Sequence, residues 1–246
     1  MKSKIKQHAA LWFLLTVLGA TAAQAGADNG GVMLSGTRLI YDGNKNVAGI
    51  TVTNSAANDV WLMRFWISPY GDKDQGKNNK PPFVVTPPLY RLDPDATVQL
   101  RINRMKDSLP PDRESVFYLN NLAIPPKKGE KNFQKSVQGG LQFAVNTRIK
   151  MFYRPAAVSN VPAVKEAPNK LSVAVKGKAM SIKNPTPYFI TLSQIAINGA
   201  PVRTDQDTMV PPFGDIRLPA KVPHGTLSYS TIDDRGMTTP VLKKTF

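Results

Sequence analysis

Cysteine is absent from all 246 residues, so no disulfide braces the fold and thiol chemistry is excluded. Histidine is almost absent: there are two, and one of them, His8, lies in an N-terminal leader. That leaves His224, too little for a metal cluster or a histidine-based nucleophile. No apolar run is long enough to cross a bilayer, which takes about 20 residues. The nearest is "AALWFLLTVLGA" at residues 9–20. It follows the basic "MKSKIKQ" and precedes "AQA" at residues 23–25, the pattern of a secretory signal cut after Ala25. Helical periodicity is nearly missing. Phosphate loops are missing too, because Gly139 and Gly140 lack the spacing and the following helix. Asp233 and Asp234 resemble a carboxylate pair, but neighbours on a strand point to opposite faces and do not readily share a substrate; a turn before Gly236 explains them better. No constellation for catalysis, no metal site and no cofactor site is expected, which favours a binding protein over an enzyme.

What is present suits short strands. There are 21 prolines, 17 glycines and 41% hydrophobic residues, enough apolar content for a core and enough turn formers to divide it. "VMLSGTRLIYDG", "VAGITVTNSAAND", "VWLMRFWISPYGD", "ESVFYLNNLAIPP" and "LQFAVNTRIKMFYRP" each read as one strand, and "PPFVVTPPLYRLDPDATVQLRI" as two short ones. Seven strands with turns about every ten residues predict an immunoglobulin-type sandwich. "AAVSNVPAVKEAPNK" reads as a hinge. Beyond it, "LSVAVKG", "AMSIKNPTP", "YFITLSQIAING", "GDIRLPA", "TLSYSTID" and "TTPVLKKTF" predict a second, smaller all-β unit. The expected division is a leader over residues 1–25, one domain over 26–157 and a second over 158–246. The formal charge is +15, of which Lys2, Lys4 and Lys6 belong to the leader. An exported basic protein rarely meets nucleic acid, so an acidic partner or a carboxylate ligand gains weight, although solubility accounts for much of the excess.

One strand is unusual. "NTRIKMFYRPAA" carries Arg148, Lys150 and Arg154 among Ile149, Met151, Phe152 and Tyr153, then stops at Pro155. A solvated strand has fewer aromatics, and a buried one fewer cations. Taken with "TRLIYDG", "TPPLYRLDP", "LPPDRESVFYLNNLAIPP", "IKNPTPYFITL" and "LSYSTIDDRG", in that order, it resembles the PapD-like periplasmic chaperones of chaperone–usher pilus assembly over nearly all of the mature chain.

The resemblance implies two immunoglobulin-like β-sandwiches in a boomerang with a cleft between them. It implies a periplasmic chaperone that caps pilus subunits one-to-one by donor-strand complementation and delivers them to an outer-membrane usher, with no nucleic acid and no membrane insertion. By motif, Arg38 and Lys150 hold a subunit's C-terminal carboxylate. The seventh strand offers Leu141, Phe143 and Val145 to the subunit, with Gln142, Ala144 and Asn146 between them. Alternation alone fits equally a strand packed into its own core. The charge network of the family maps to Glu114, Arg154 and Asp234, with Asp233 as the alternative to Asp234. Residues 127–140 form a longer loop than in short-loop members but lack the cysteine pair of long-loop members, so the subclass stays open. Within that loop Phe133 and Val137 extend the apolar register, and Lys127, Lys128, Lys131 and Lys135 keep the edge soluble when empty. Self-association through that edge is a further expectation. Two other readings stand beside this one: a fimbrial structural subunit or adhesin, and a family member that no longer serves pili.

Overall fold

The computed structural model describes residues 31–71, 81–105, 109–125 and 143–246. The leader, Leu141, Gln142, Phe133, Val137 and the four loop lysines lie outside the described residues.

Among the described residues nine strands build the first unit: β1 (Val32–Leu34), β2 (Arg38–Asp42), β3 (Val47–Asn54), β4 (Trp61–Pro69), β5 (Phe83–Thr86), β6 (Leu89–Leu92), β7 (Thr97–Arg104), β8 (Ser115–Ile124) and β9 (Val145–Arg154). They form two sheets, ordered β1-β3-β7-β5 and β2-β9-β8-β4-β6. Period-two alternation sets the inner faces. On β7, Val98, Leu100 and Ile102 are buried while Thr97, Gln99 and Arg101 face water. Opposite them, Met63 and Phe65 of β4, Leu119 of β8 and Met151 of β9 close the core. Each large apolar side chain buried in this way contributes roughly 1.5–3 kcal/mol before ordering costs. Tyr41 is enclosed with its hydroxyl donating to the Asn46 carbonyl at 2.8 Å.

The structure differs from the sequence reading in two places here. "VMLSGTRLIYDG" is two strands, because the chain changes sheets at Ser35–Thr37: β1 pairs antiparallel with β3, and β2 pairs parallel with β9. "PPFVVTPPLYRLDPDATVQLRI" holds three strands, because the Pro87-Pro88 step carries the chain from β5, on β7, to β6, on β4. Local alternation does not distinguish one strand from two that serve different sheets.

The hinge segment contains a short helix, α1 (Val161–Glu166), started by Asn160, whose side chain accepts from the Ala163 amide at 3.0 Å, and by Pro162 in the first turn. Eight strands follow: β10 (Ser172–Lys176), β11 (Ala179–Lys183), β12 (Ile190–Ile197), β13 (Ala200–Pro201), β14 (Met209–Val210), β15 (Asp215–Pro219), β16 (Thr226–Thr231) and β17 (Leu242–Thr245). One sheet runs β10-β11-β15; the other runs β13-β12-β16-β17, with β14 beside β12. The six segments read from the sequence are all strands, and the two-residue β13 and β14 are additional. A second core forms around Met180, Ile182, Val210, Leu227 and Tyr229.

Candidate subunit-binding cleft

β9 is buried along half its length. Val145 to Arg148 are exposed, whereas Ile149 and Met151 to Arg154 are buried. The cause lies in its two neighbours. β8 runs antiparallel beside it from Val145 to Tyr153. β2, on the other side, runs parallel and begins only at Arg38, opposite Lys150. Among the described residues no strand lies against β9 on that side before Lys150. Its first half is therefore an open edge, collinear with β2.

The odd-numbered side chains of β9 share one face. Ile149, Met151 and Tyr153 enter the core, and Val145 and the preceding Phe143 continue the same line beyond it, 54% and 67% exposed. The exposure of these two shows that the alternation does not reflect burial in the protein's own core. The other face carries Lys150, Phe152 and Arg154, whose ladder partners on β2 are Arg38, Ile40 and Asp42.

Arg38 and Lys150 thus stand on adjacent strands about 4.8 Å apart, with like charges on one face. The Arg38 guanidinium donates to the Ile232 carbonyl at 3.0 Å and lies 5.5 Å from the Phe152 ring centroid. Its buried Nε has no hydrogen-bond partner among the described residues. Burial pulls its pKa below the ordinary arginine value, and Asp234, Asp233 and Glu114 offset this only in part. The Lys150 ammonium reaches Asp207 Oδ1 at 3.4 Å and Met209 Sδ at 3.6 Å, and sits 5.2 Å from the Tyr70 ring centroid. Burial and then the charge of Arg38 push its pKa down. Two partly desolvated cations side by side make a strong site for a carboxylate, because charge-assisted hydrogen bonds gain strength where water is thin.

Arg154, at the buried end of β9, makes a different contact. Its Nε donates to Glu114 Oε1 at 2.7 Å, and its two terminal nitrogens donate to the Asp234 carboxylate at 2.8 and 2.9 Å. Burial works against its charge, but the hydrogen bonds and charges of Asp234 and Glu114 prevail and hold its pKa above the ordinary arginine value. Glu114 is pushed up by burial, with the Arg154 charge and the Phe189 amide opposing. The structure brings Glu114, Arg154 and Asp234 together, and of the two aspartates it is Asp234 that hydrogen-bonds Arg154. Asp233 Oδ1 accepts from the Arg235 and Met237 amides at 2.9 and 2.8 Å and so closes its own turn. That turn passes Gly236 at φ +82°, where a Cβ would strike the Thr37 hydroxyl beside Arg38.

Sequence reasoning missed the residues that complete this junction. Glu114 Oε2 accepts from the Phe189 amide at 2.8 Å, and the Glu114 amide donates to the Pro187 carbonyl at 2.9 Å. Phe189 packs on Phe152 with centroids 5.9 Å apart, and Tyr188 lies 5.6 Å from the Arg154 guanidinium. Asn184 shapes this turn by accepting from the Thr186 amide and hydroxyl at 2.9 and 2.7 Å and donating to the Tyr188 carbonyl at 2.7 Å. The signal was the Asn-Pro-Thr-Pro run, an Asx-turn former with proline punctuation. Asp207 and Tyr70 carried no signal, being loop residues far from Lys150 in sequence.

Comparison with known proteins agrees with this architecture. Residues 31–159 match the family described as pili and flagellar-assembly chaperone, PapD N-terminal domain, and residues 166–242 match pili assembly chaperone PapD, C-terminal domain. The chain is 41% identical over 220 residues to the probable fimbrial chaperone LpfB of Escherichia coli O157:H7, covering 87% of this chain and 88% of that one. It is 33% identical over 219 residues to the chaperone protein FimC of Escherichia coli K12, covering 88% and 85%. Among solved structures, a chain of the Salmonella enterica SafA pilin–SafB chaperone complex superposes with a TM-score of 0.74 at 29% identity, covering 88% of this chain and 96% of that one. With both family models matched in order and relatives matched along most of their length, the chain belongs to the PapD family of pili-assembly chaperones.

Proposed function

We propose that this periplasmic chaperone grips an unfinished pilus subunit in two ways at once, along the open edge of β9 and at the paired cations Arg38 and Lys150. One observation carries the reading: the open edge ends where β2 begins. A subunit strand added to that edge parallel to β9 is continued by β2, so its C-terminus stops against Arg38 and Lys150, and its terminal carboxylate meets two cations. Main-chain pairing holds any strand without regard to sequence, while Phe143 and Val145, with Leu141 before them, fill the subunit's open groove and supply selectivity. An unpaired apolar edge is normally a hazard; here it serves capture. A similar solved structure supports the reading, since SafB is a chaperone solved in complex with the SafA pilin. The capped subunit passes to an outer-membrane usher, and the leader over residues 1–25 carries the chain to the periplasm. The domain boundary falls near residues 157 and 158, and Glu114, Arg154 and Asp234 hold the angle between the two arms.

The test is co-purification from a periplasm expressing the mature chain with the subunits encoded beside its own gene. The expected result is a one-to-one complex that Arg38→Ala and Lys150→Ala abolish while the free chaperone stays folded. A complex indifferent to both substitutions would sink the carboxylate clamp.

A further inference from the structure

The ammonium of Lys150 faces a carboxylate of the protein itself. Asp207 Oδ1 lies 3.4 Å from Lys150 Nζ. The acid comes from the second unit, on the segment before β14, and its position is set by the backbone. The same Oδ1 accepts from the Met209 amide at 3.1 Å, the Thr208 hydroxyl donates to the Leu192 carbonyl at 2.8 Å, and the Leu192 amide donates to the Thr208 carbonyl at 3.1 Å. Met209 adds its sulfur to the same ammonium at 3.6 Å. The segment is thus pinned to β12, with its carboxylate pointed across the cleft. Asp207 makes no hydrogen bond to the Glu114–Arg154–Asp234 network. Its side chain is half exposed, and that of Lys150 is 24% exposed.

Resting on the clamp reading above, we infer that Asp207 is a placeholder that occupies the subunit-carboxylate site on Lys150 and must be displaced when a subunit's C-terminus docks. The physical need is clear. Arg38 and Lys150 are register partners of like charge on one face, and Arg38 is already committed to the Ile232 carbonyl at 3.0 Å. An anion close to Lys150 reduces that repulsion. A single hydrogen-bonded ion pair of this exposure is weak, so the contact occupies Lys150 without locking it. An incoming terminus offers more, because its carboxylate reaches both cations and arrives with a paired strand behind it. Asp207 therefore sets the affinity for the terminus: it competes for Lys150 in the empty state and returns to water in the complex.

The experiment measures how much a free C-terminal carboxylate matters. The mature chain is titrated calorimetrically with a synthetic strand peptide of alternating valine and threonine ending in a free carboxylate, and with the same peptide ending in an amide. The quantity read is the ratio of the two dissociation constants. Asp207→Asn keeps the acceptor for the Met209 amide and removes the charge; it is expected to raise the preference for the carboxylate about two- to fivefold, the range of one exposed ion pair. Asp207→Glu should keep the wild-type ratio, and circular dichroism verifies folding of each variant. A preference present in the wild type but unchanged or reduced in Asp207→Asn overturns the placeholder and leaves the clamp standing. A ratio near one throughout, or no binding of either peptide, overturns the clamp and this inference with it.

Discussion

Lys150 carries a charge that its surroundings disfavour, and that has a consequence in pH. Its pKa is lowered from 10.5 by burial and by Arg38, so the ammonium loses its proton at a lower pH than a free lysine does. A carboxylate bound there is held fully below that depressed value and loosens as the pH rises through it. Affinity for a carboxylate-ending peptide, measured against pH, should show this alkaline fall, and Lys150→Arg should remove it because guanidinium stays charged. An alkaline fall that persists in Lys150→Arg would assign it to another group. Glu114 is a residue of the opposite kind, a carboxylate with no solvent to return to. Its side chain is 2% exposed and serves both Arg154 and the Phe189 amide. Glu114→Ala leaves those donors facing a cavity and should cost about 3 kcal/mol, as breaking a buried pair does. Glu114→Gln keeps an acceptor and should cost less. Urea unfolding of the two variants checks the order.

At the scale of the element, β9 does two jobs in one strand. Its second half is a core strand between β2 and β8, and its first half is an edge. Substitutions in the two halves should therefore differ in kind. Phe143→Asp and Val145→Asp change exposed side chains, so the thermal midpoint of the free chaperone should stay unchanged while subunit retention falls tenfold or more, as the loss of a large apolar anchor implies. Met151→Ala should do the reverse, lowering stability by about 2–5 kcal/mol through a core cavity without touching the edge. A loss of stability in the Phe143 variant, seen by calorimetry, would place that side chain in a core after all. The alternation of Leu141, Phe143 and Val145 is legible in the sequence. The point at which burial stops is not, because it depends on where β2, about a hundred residues earlier, begins.

For the whole molecule, the two cores meet at a junction that holds both an aromatic contact, Phe152 on Phe189, and the Arg154 network. The ion pairs of the buried Arg154 should carry much of the coupling between the units. Arg154→Ala leaves Glu114 buried without its cation and should split one calorimetric transition into two, the units then melting separately. A single sharp transition in that variant would show that apolar packing alone couples them. Much of this architecture was legible in the chain. The period-two apolar pattern and the turn residues determined an all-β protein with two cores, because alternation and turn chemistry are local. The blocks around Arg38, Glu114, Lys150 and Arg154 hold residues that the fold brings together. What only the tertiary structure decided are the pairings between distant segments: that Arg38 stands opposite Lys150, that Asp234 rather than Asp233 reaches Arg154, that among the described residues no strand covers β9 on the β2 side before Lys150, and that Asp207 faces Lys150. Those depend on sheet register and on the packing of one unit against the other, and such interactions act across the fold rather than along the chain.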